Sequence, residues 1–347
     1  MGKTLAEKIL NQHSSDEAVA GDISEVNYDI LMAHDGLVSS VIDRFEETNK
    51  KIKFPNKIRL YTDHFAPVSQ SSRPQEFTAR ANIQRKYLDF AKLHDLDAHI
   101  YQGICHSMLV DDKHISAGDV IFGADSHTTT VGSIGAFATG IGSSDFLYSL
   151  IKGKLWLKIP ETIKIEFHGS LPKNVYGKDI ISEILGSIAE EGAVYECLEF
   201  HDLTKNKISI DGRSTICNMS VEAGAMAGIF VPDEITKEFQ LSKNDKNYNP
   251  ILPDKSAVYK QIIQINVNEL NQKVAKPHSP ANVTSVNEVK GTKIDQVFIG
   301  SCTGGRLEDL EVTYQVFSKH DYVYAGLKVI IVPATMKIYL EALKRGY

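Results

Sequence analysis

The stretch Gly123–Asp145, which reads GADSHTTTVGSIGAFATGIGSSD, constrains the fold of this chain more than any other. A short apolar run of strand character, Asp119–Phe122, precedes it. After Ser133 the residues are small and apolar, and we expect a tightly packed helix with glycines where backbones approach closely. Asp125 and its polar neighbours would then lie between a strand and a helix, at the edge where open α/β sheets bind ligands.

Three adjacent residues of this stretch, Asp125, Ser126 and His127, carry the chemically useful groups. A carboxylate, a hydroxyl and an imidazole offer a hydrogen-bond acceptor, a donor to anions and a titratable group. A helix N-cap would account for Asp125 or Ser126 alone. It does not account for the histidine together with the glycine-rich continuation, so we interpret the three residues as a functional site.

Further polar groups follow other predicted strands of the same part of the chain. His34 comes after the first strand, although on its residues alone it fits a turn equally well. Asp63 stands beside His64 after the next strand, where a carboxylate can orient an imidazole or hold it charged. His106 follows a third strand. These placements predict that the four side chains lie at the ligand-binding edge of one sheet.

Two later segments hold the remaining candidates. Asn218 and Glu222 lie one helical turn apart within residues 214–229, a spacing that alone favours a polar contact between helices over a substrate-facing pair. Cys302 lies between a predicted strand, 296–300, and a predicted helix, whose N-terminus favours a thiolate. The residues alone leave open whether Cys302 is a nucleophile, a metal ligand or only a small side chain.

Composition excludes several classes of function. The chain has 347 residues, 42% of them hydrophobic, and a net charge of −6, so it lacks the basic excess that a nucleic-acid partner requires. No apolar run is long enough to span a membrane, and the N-terminus lacks a signal peptide's apolar segment. The cysteines, Cys105, Cys197, Cys217 and Cys302, do not form a disulfide framework, which predicts a cytoplasmic protein.

The GADSHT motif, the glycines after it and the GIGSSD end resemble the aconitase superfamily, and within it the large subunits of 3-isopropylmalate dehydratase and homoaconitase. The resemblance covers nearly the whole chain and includes the Asn-Met-x-x-Glu-x-Gly-Ala pattern that begins at Asn218. It implies an α/β fold of aconitase-like three-layer α/β/α domains with mostly parallel sheets. We expect a first domain over 1–158 with most site residues, a second over 159–274, a linker over 275–292 and an incomplete third domain over 293–347.

The resemblance implies a reaction and a cofactor. Members of this family remove water from a 2-hydroxy di- or tricarboxylate and add it back at the neighbouring carbon, with a [4Fe-4S] cluster of which Cys302 would be one ligand. The family continues with a Cys-x-x-Cys pair that this sequence lacks, and Gly304 stands where the family usually has Asn. We therefore expect a truncated large subunit that carries no cluster and is inactive as an isolated chain.

The resemblance also implies two oriented pairs of catalytic side chains. His64 with Asp63 would be the acid that protonates the leaving hydroxyl. His106 with Asp125 would form the second pair.

Substrate contacts would come from five residues by the same resemblance. Ser126 and His127 would orient the substrate carboxylate, assisted by Glu222, and His34 and Asn218 would lie further out. The serine base and several substrate-binding arginines of the family belong to a swivelling domain, which in these enzymes is a separate small subunit. The resemblance thus predicts a small-subunit partner and a small anionic substrate, with isopropylmalate expected first and homocitrate or homoaconitate second.

Two unrelated classes compete with this interpretation. A mononuclear metal hydrolase could use four of the same side chains, His64, His106, His127 and Asp125, as ligands. A non-enzymatic scaffold or RNA-binding relative is disfavoured by the acidic balance and by the intact acid–base residues.

Overall fold

The computed structural model describes residues 2–65, 74–188, 191–244 and 248–347. The helices in these ranges are α1 (Leu5–Gln12), α2 (Asp35–Glu47), α3 (Pro74–Leu93), α4 (Cys105–Val110), α5 (Ser143–Lys152), α6 (Gly177–Ile188), α7 (Ile210–Asn218), α8 (Glu234–Lys243), α9 (Leu307–Phe317) and α10 (Met336–Arg345). The strands are β1 (Ile23–Asn27), β2 (Ile30–His34), β3 (Ile58–Thr62), β4 (Asp97–Ile100), β5 (Val120–Gly123), β6 (Phe137–Gly140), β7 (Lys154–Lys158), β8 (Thr162–Gly169), β9 (Cys197–Thr204), β10 (Ala227–Phe230), β11 (Gln261–Asn266), β12 (Lys273–Ala275), β13 (Val283–Ser285), β14 (Gln296–Ile299) and β15 (Lys328–Ile331). Among the described residues, no helix has both the length and the apolarity needed to cross a bilayer.

A five-stranded sheet in the order β4-β3-β2-β5-β6 organises the first part of the chain, and all of its strand pairs are parallel. Leu31 and Ala33 of β2 pack into a core shared with α2, α3 and α5, whereas Ile30 and Met32 face a second core with α4. Strands covered on both faces read as continuous apolar runs, as β2 does. This is the three-layer α/β/α arrangement expected from the sequence.

A second parallel sheet has the order β10-β9-β8-β11 and packs against α6 and α7. A third, of β14 and β15, is also parallel, and α9 and α10 share a small core beside it. Antiparallel pairing is limited, among the described strands, to β1 with β7 and β12 with β13. The predicted α/β class with mostly parallel sheets is therefore confirmed. The domain boundaries stay a prediction, although the β12–β13 hairpin reaches into the predicted linker over 275–292.

Two helix predictions beside the first sheet are wrong. The small apolar residues after Ser133 form the strand β6, because Gly135 takes a left-handed conformation (φ 81°) that ends the preceding 3₁₀ segment. The sequence over 150–157 also predicts the end of a helix that carries Trp156, but Trp156 lies on β7, because Gly153 (φ 76°) stops α5 one residue before that strand. Short apolar runs fit a buried strand as well as a helix, so periodicity does not separate the two.

The first and second sheets are brought together at a contact between glycine backbones. The 3₁₀ segment Ser126–Ile134 lies against β10, and a Cβ atom added to Gly132 would sit 1.7 Å from the carbonyl oxygen of Gly228. Only a residue without a side chain allows this approach. The glycines after the GADSHT motif thus serve the packing of the segment that carries it.

We expect Gly132→Ala to lower the free energy of unfolding by roughly 2 kcal/mol or more, because a methyl group there must displace backbone. Urea unfolding followed by circular dichroism would measure the loss.

Gly186→Ala is the matched control, since Gly186 lies within α6 and its added Cβ would meet only Val283, at 3.6 Å. Within a helix, alanine is more stabilising than glycine by about 0.5–1 kcal/mol, so this variant should be as stable as the parent or more stable. Equal destabilisation by both substitutions would contradict the proposed close contact.

Candidate active site

Candidate residues gather at the carboxyl ends of three adjacent parallel strands. His34 is the last residue of β2, Asp63 and His64 follow β3, and Asp125 follows β5. Because β3, β2 and β5 are neighbours in the sheet and run parallel, their ends meet at one edge. The sheet therefore brings together side chains that are up to 91 positions apart in sequence (from 34 to 125).

His64 lies between two carboxylates. Its Nδ1 is 2.7 Å from Oδ1 of Asp63, and its Nε2 is 3.4 Å from Oδ2 of Asp125. Hydrogen bonds to Asp125 and then to Asp63 raise the pKa of His64 to about 10, against the opposing effect of partial burial. His64 is thus an imidazolium at neutral pH, and 42% of its side chain is open to solvent.

The two carboxylates are ionised. Burial would raise the pKa of each, but hydrogen bonding to His64 and backbone N–H groups lowers both below the usual range for aspartate. Asp63 also accepts the backbone N–H of Cys105 (2.7 Å), at the start of α4. Asp125 accepts the backbone N–H of His127 (2.8 Å), so it is a helix cap and a partner of His64 at once.

Asp35 is a site residue that sequence reasoning missed. It is fully buried, and its carboxylate accepts the backbone N–H groups of His64 (3.0 Å) and Phe65 (3.1 Å) and the side-chain amide of Gln84 (3.2 Å). These bonds fix the turn that presents His64. The sequence offered one signal, an aspartate directly after the histidine that ends β2.

His34 contacts the charged histidine directly. The rings of His34 and His64 are stacked with centroids 3.6 Å apart. Nδ1 of His34 accepts the backbone N–H of Gly36 (3.1 Å), and its Nε2 lies 4.0 Å from Asp125. Burial and the neighbouring His64 charge lower the pKa of His34, so it is a neutral ring that supports the imidazolium.

His106 is buried, and its hydrogen-bond partner is Thr130. The structure shows no hydrogen bond between His106 and Asp125, although the charge of Asp125 acts on the ring of His106. Nδ1 of His106 lies 3.2 Å from the Thr130 hydroxyl, which donates its own proton to the carbonyl of His127 (2.6 Å). The hydroxyl must therefore accept a hydrogen bond from Nδ1–H of His106, and in the neutral ring this tautomer leaves Nε2 with a free lone pair.

The protonation state of His106 is opposite to that of His64. Desolvation is the largest effect on this ring, which is 1% exposed, and it lowers the pKa of His106 to about 4. One site therefore holds a charged imidazole and a neutral one. Pairs of titratable side chains whose surroundings shift their pKa values in opposite directions are typical of the acid and the base in an active site.

Ser126, His127 and Glu222 form the more open side of the site. The Ser126 hydroxyl is exposed and lies 3.1 Å from Nδ1 of His127. Nε2 of His127 is 3.7 Å from the Glu222 carboxylate, which lies in a 3₁₀ turn after α7. The three side chains can therefore meet a polar ligand together.

Asn218 connects the site to the Cys302 loop. Its amide donates to the Thr130 hydroxyl (2.9 Å) and to the carbonyl of Cys302 (3.1 Å), and its side chain is fully buried. The Thr130 hydroxyl thus accepts hydrogen bonds from two side chains and donates one to a backbone carbonyl. Thr130 is the second site residue that sequence reasoning missed. Its place in the run of threonines after His127 was the available signal.

Cys302 is the exposed cysteine of the chain. It lies between β14 and α9, as predicted, whereas Cys105, Cys197 and Cys217 are buried, and burial raises the pKa of each of those three thiols. Of the four thiols, that of Cys302 is therefore the one that a bound group could reach.

The ligand set of the rival metal hydrolase does not come together in the described part of the chain. The one group of metal-capable side chains there is His34, Asp35, Asp63 and His64. Each is already engaged: Asp35 by backbone N–H groups, Asp63 by His64, and Nδ1 of His34 by Gly36. These contacts occupy ligand atoms that a bound metal would need.

The fold and the site together define a protein with an acid–base centre at the ligand edge of a doubly covered parallel sheet. A family model described as the aconitase family (aconitate hydratase) matches residues 7–292. The chain belongs to the aconitase family.

Individual relatives match over the full length of this chain. It is 40% identical to 3-isopropylmalate dehydratase large subunit 1 of Methanopyrus kandleri, over 100% of this chain and 82% of that protein. It is 41% identical to the large subunit from Thermoanaerobacter sp. strain X514 and 39% identical to large subunit 2 from Archaeoglobus fulgidus, with the same coverage.

We expect His64 to remain protonated through neutral pH, and Asp125→Asn to lower its pKa because one anionic partner is lost. The folded-state pKa of about 10 lies above the ordinary 6.5. The contribution of the His64 charge to the free energy of unfolding is therefore present in full below pH 6.5 and is lost as the pH rises towards 10. Imidazole ¹⁵N NMR titration would measure the pKa directly. As a control, Asp43→Asn removes a carboxylate that is paired with Lys86, and it should leave the pKa of His64 unchanged.

We expect Thr130→Val to lower the free energy of unfolding by roughly 1–3 kcal/mol, because buried donors of His106 and Asn218 lose their acceptor. Urea unfolding would measure the loss, and ¹⁵N NMR would report the tautomer of His106. Thr130→Ser keeps the hydroxyl and should keep the Nδ1–H tautomer. A valine variant with an unchanged tautomer would contradict the assigned hydrogen bond.

Proposed function

We propose that this chain is the large subunit of an iron–sulfur hydro-lyase that isomerises a 2-hydroxy dicarboxylate by dehydration and rehydration, namely 3-isopropylmalate dehydratase of leucine biosynthesis. Membership of the aconitase family and relatives at 39–41% identity support this assignment. The observation that carries it is the pair of histidines in opposite protonation states, His64 and His106, within one site.

Dehydration requires a proton for the departing hydroxyl and removal of a proton from the carbon beside a carboxylate. His64 carries the proton. While it contacts both Asp63 and Asp125 its pKa of about 10 makes it a weak acid. A substrate hydroxyl that replaced the longer contact, to Asp125, would weaken that stabilisation and bring the pKa closer to the working range of an acid catalyst.

The remaining residues of this chain would bind and orient the substrate. The exposed hydroxyl of Ser126 and the ring of His127 can donate to a substrate carboxylate. Nε2 of His106, with its free lone pair, can accept a hydrogen bond from substrate or water in a site where burial keeps the ring neutral. Glu222 would hold His127 in orientation.

The family implies a [4Fe-4S] cluster, and Cys302 is the ligand that this chain would contribute. When bound, such a cluster supplies a Lewis acid for the substrate hydroxyl. Asn218 would support that role, because its amide holds the backbone of Cys302 beside Thr130.

A small subunit would complete the site. The relatives are named large subunits, and the substrate is an anion with two carboxylates. Two cations of this chain lie beside the site: the His64 imidazolium, and Lys178, whose charge interacts with Glu222 and Cys302. We propose that a swivelling domain on the small subunit provides arginines and the base, and that the complex works in the cytoplasm, where free thiols such as these persist.

We expect anaerobic iron–sulfur reconstitution of the full-length gene product that contains this sequence to yield a visible thiolate-to-iron absorption band, and Cys302→Ser to abolish it. Cys217→Ala removes a buried thiol and should leave the band intact. With the small subunit added, the loaded enzyme should form a conjugated alkene from isopropylmalate, detected by ultraviolet absorption. Tight zinc binding without iron uptake would instead support a histidine-metal hydrolase.

A further inference from the structure

Arg306 is a buried arginine at the junction of three segments that each carry a candidate site residue. It is 5% exposed and lies four positions after Cys302, at the N-cap of α9. Removing a guanidinium from water is unfavourable unless carboxylates and carbonyls replace the lost hydration. The partners of the Arg306 guanidinium therefore show which elements of the fold it holds together.

One set of contacts joins Arg306 to α7, the helix that ends at Asn218. Nε of Arg306 donates to Oδ1 of Asp211 (2.6 Å), in the first turn of that helix. The other oxygen of Asp211 accepts the backbone N–H of Glu308 (3.1 Å). One carboxylate thus holds both the side chain of Arg306 and the first turn of α9.

A second set joins Arg306 to α4, the helix that carries His106. Nη1 of Arg306 lies 3.5 Å from the carbonyl oxygen of Ser107, and Nη2 lies 3.4 Å from Oδ1 of Asp111. Ser107 directly follows His106, and Asp111 is the C-cap of the same helix. The guanidinium therefore contacts both the third residue of this six-residue helix and its C-cap.

The loop that Arg306 terminates is itself tightly held. The backbone N–H of Arg306 donates to Asp309 (3.0 Å), and the carbonyl of Gly305 accepts from Ala334 (2.8 Å). The carbonyl of Cys302 accepts from Asn218. Because Arg306 is only four residues from Cys302 in this loop, a displacement of Arg306 would also move the backbone of Cys302.

We propose that Arg306 is a positioning residue that sets the Cys302 loop against the helices of His106 and Asn218. A planar fork with donors on three nitrogens reaches Asp211 and α4 simultaneously, which the single ammonium of a lysine cannot do. The inference that this position matters for catalysis rests on the proposed function, whereas the structural coupling does not.

Arg213 provides a matched control for the loss of a buried arginine. It is also fully buried and bonds to two carboxylates, Asp202 (3.0 Å) and Asp233 (2.7 Å), from α7. Its hydrogen-bond partners belong to β9, α8 and the N-cap of α8 rather than to α4 or the Cys302 loop. Arg213→Lys should therefore weaken the fold without altering that junction.

The first test uses this chain alone. A nitroxide attached to Cys302 reports the loop selectively because the other cysteines are buried. We expect Arg306→Lys to narrow the electron paramagnetic resonance lines and to speed hydrogen exchange about tenfold at Ile104, whose N–H donates to Ala334 across the junction. Asp211→Asn, which leaves the arginine in place, should produce a smaller change in the same direction, and Arg213→Lys should produce none.

The second test measures kinetics of the cluster-loaded complex with the small subunit. Arg306→Lys should lower kcat about tenfold or more with a smaller change in KM, because misplaced groups act on the reacting state more than on binding. Wild-type line shapes and exchange in Arg306→Lys, or equal changes in Arg213→Lys, would overturn the positioning role. Failure of the parent complex to dehydrate isopropylmalate would instead refute the proposed function and leave the nitroxide and exchange results standing.

Discussion

The contact of one imidazolium with two buried carboxylates is the interaction on which the rest of the site depends. Asp63 and Asp125 would be costly to bury as anions without a cation between them, and His64 supplies it. Each carboxylate also holds a neighbouring segment in place. Asp63 accepts the backbone N–H of Cys105, the first residue of α4, and Asp125 caps the 3₁₀ segment after β5. The charge on His64 therefore helps to hold the ends of two strands and two following helical segments in one arrangement.

A second centre, made of neutral groups, extends this arrangement to the later parts of the chain. The Thr130 hydroxyl joins His106 to Asn218, and Asn218 joins both to the backbone of Cys302. Because the hydroxyl has one proton and gives it to His127, the direction of every bond in this group follows. Hydrogen bonds thus connect His106 to the end of α7 and to the loop after β14.

Most of the candidate site could be located from sequence because parallel strands bring their carboxyl ends to one edge. That rule places His34, His64 and Asp125 together without any knowledge of their contacts. It does not reveal Asp35 or Thr130, whose importance lies in hydrogen bonds to distant backbone and side chains. Nor does it separate helix from strand after Ser133, since a short run of small apolar residues satisfies both.

The sequence by itself determined the α/β class and the chemical groups that follow the predicted strands, because the family motifs and the short apolar strand patterns are local features of the chain. Tertiary structure alone decided their protonation states. His64 and His106 are the same kind of side chain, yet one contacts two carboxylates and the other is buried beside a hydroxyl. Their pKa values diverge to about 10 and about 4 because charge and solvation depend on neighbours remote in sequence.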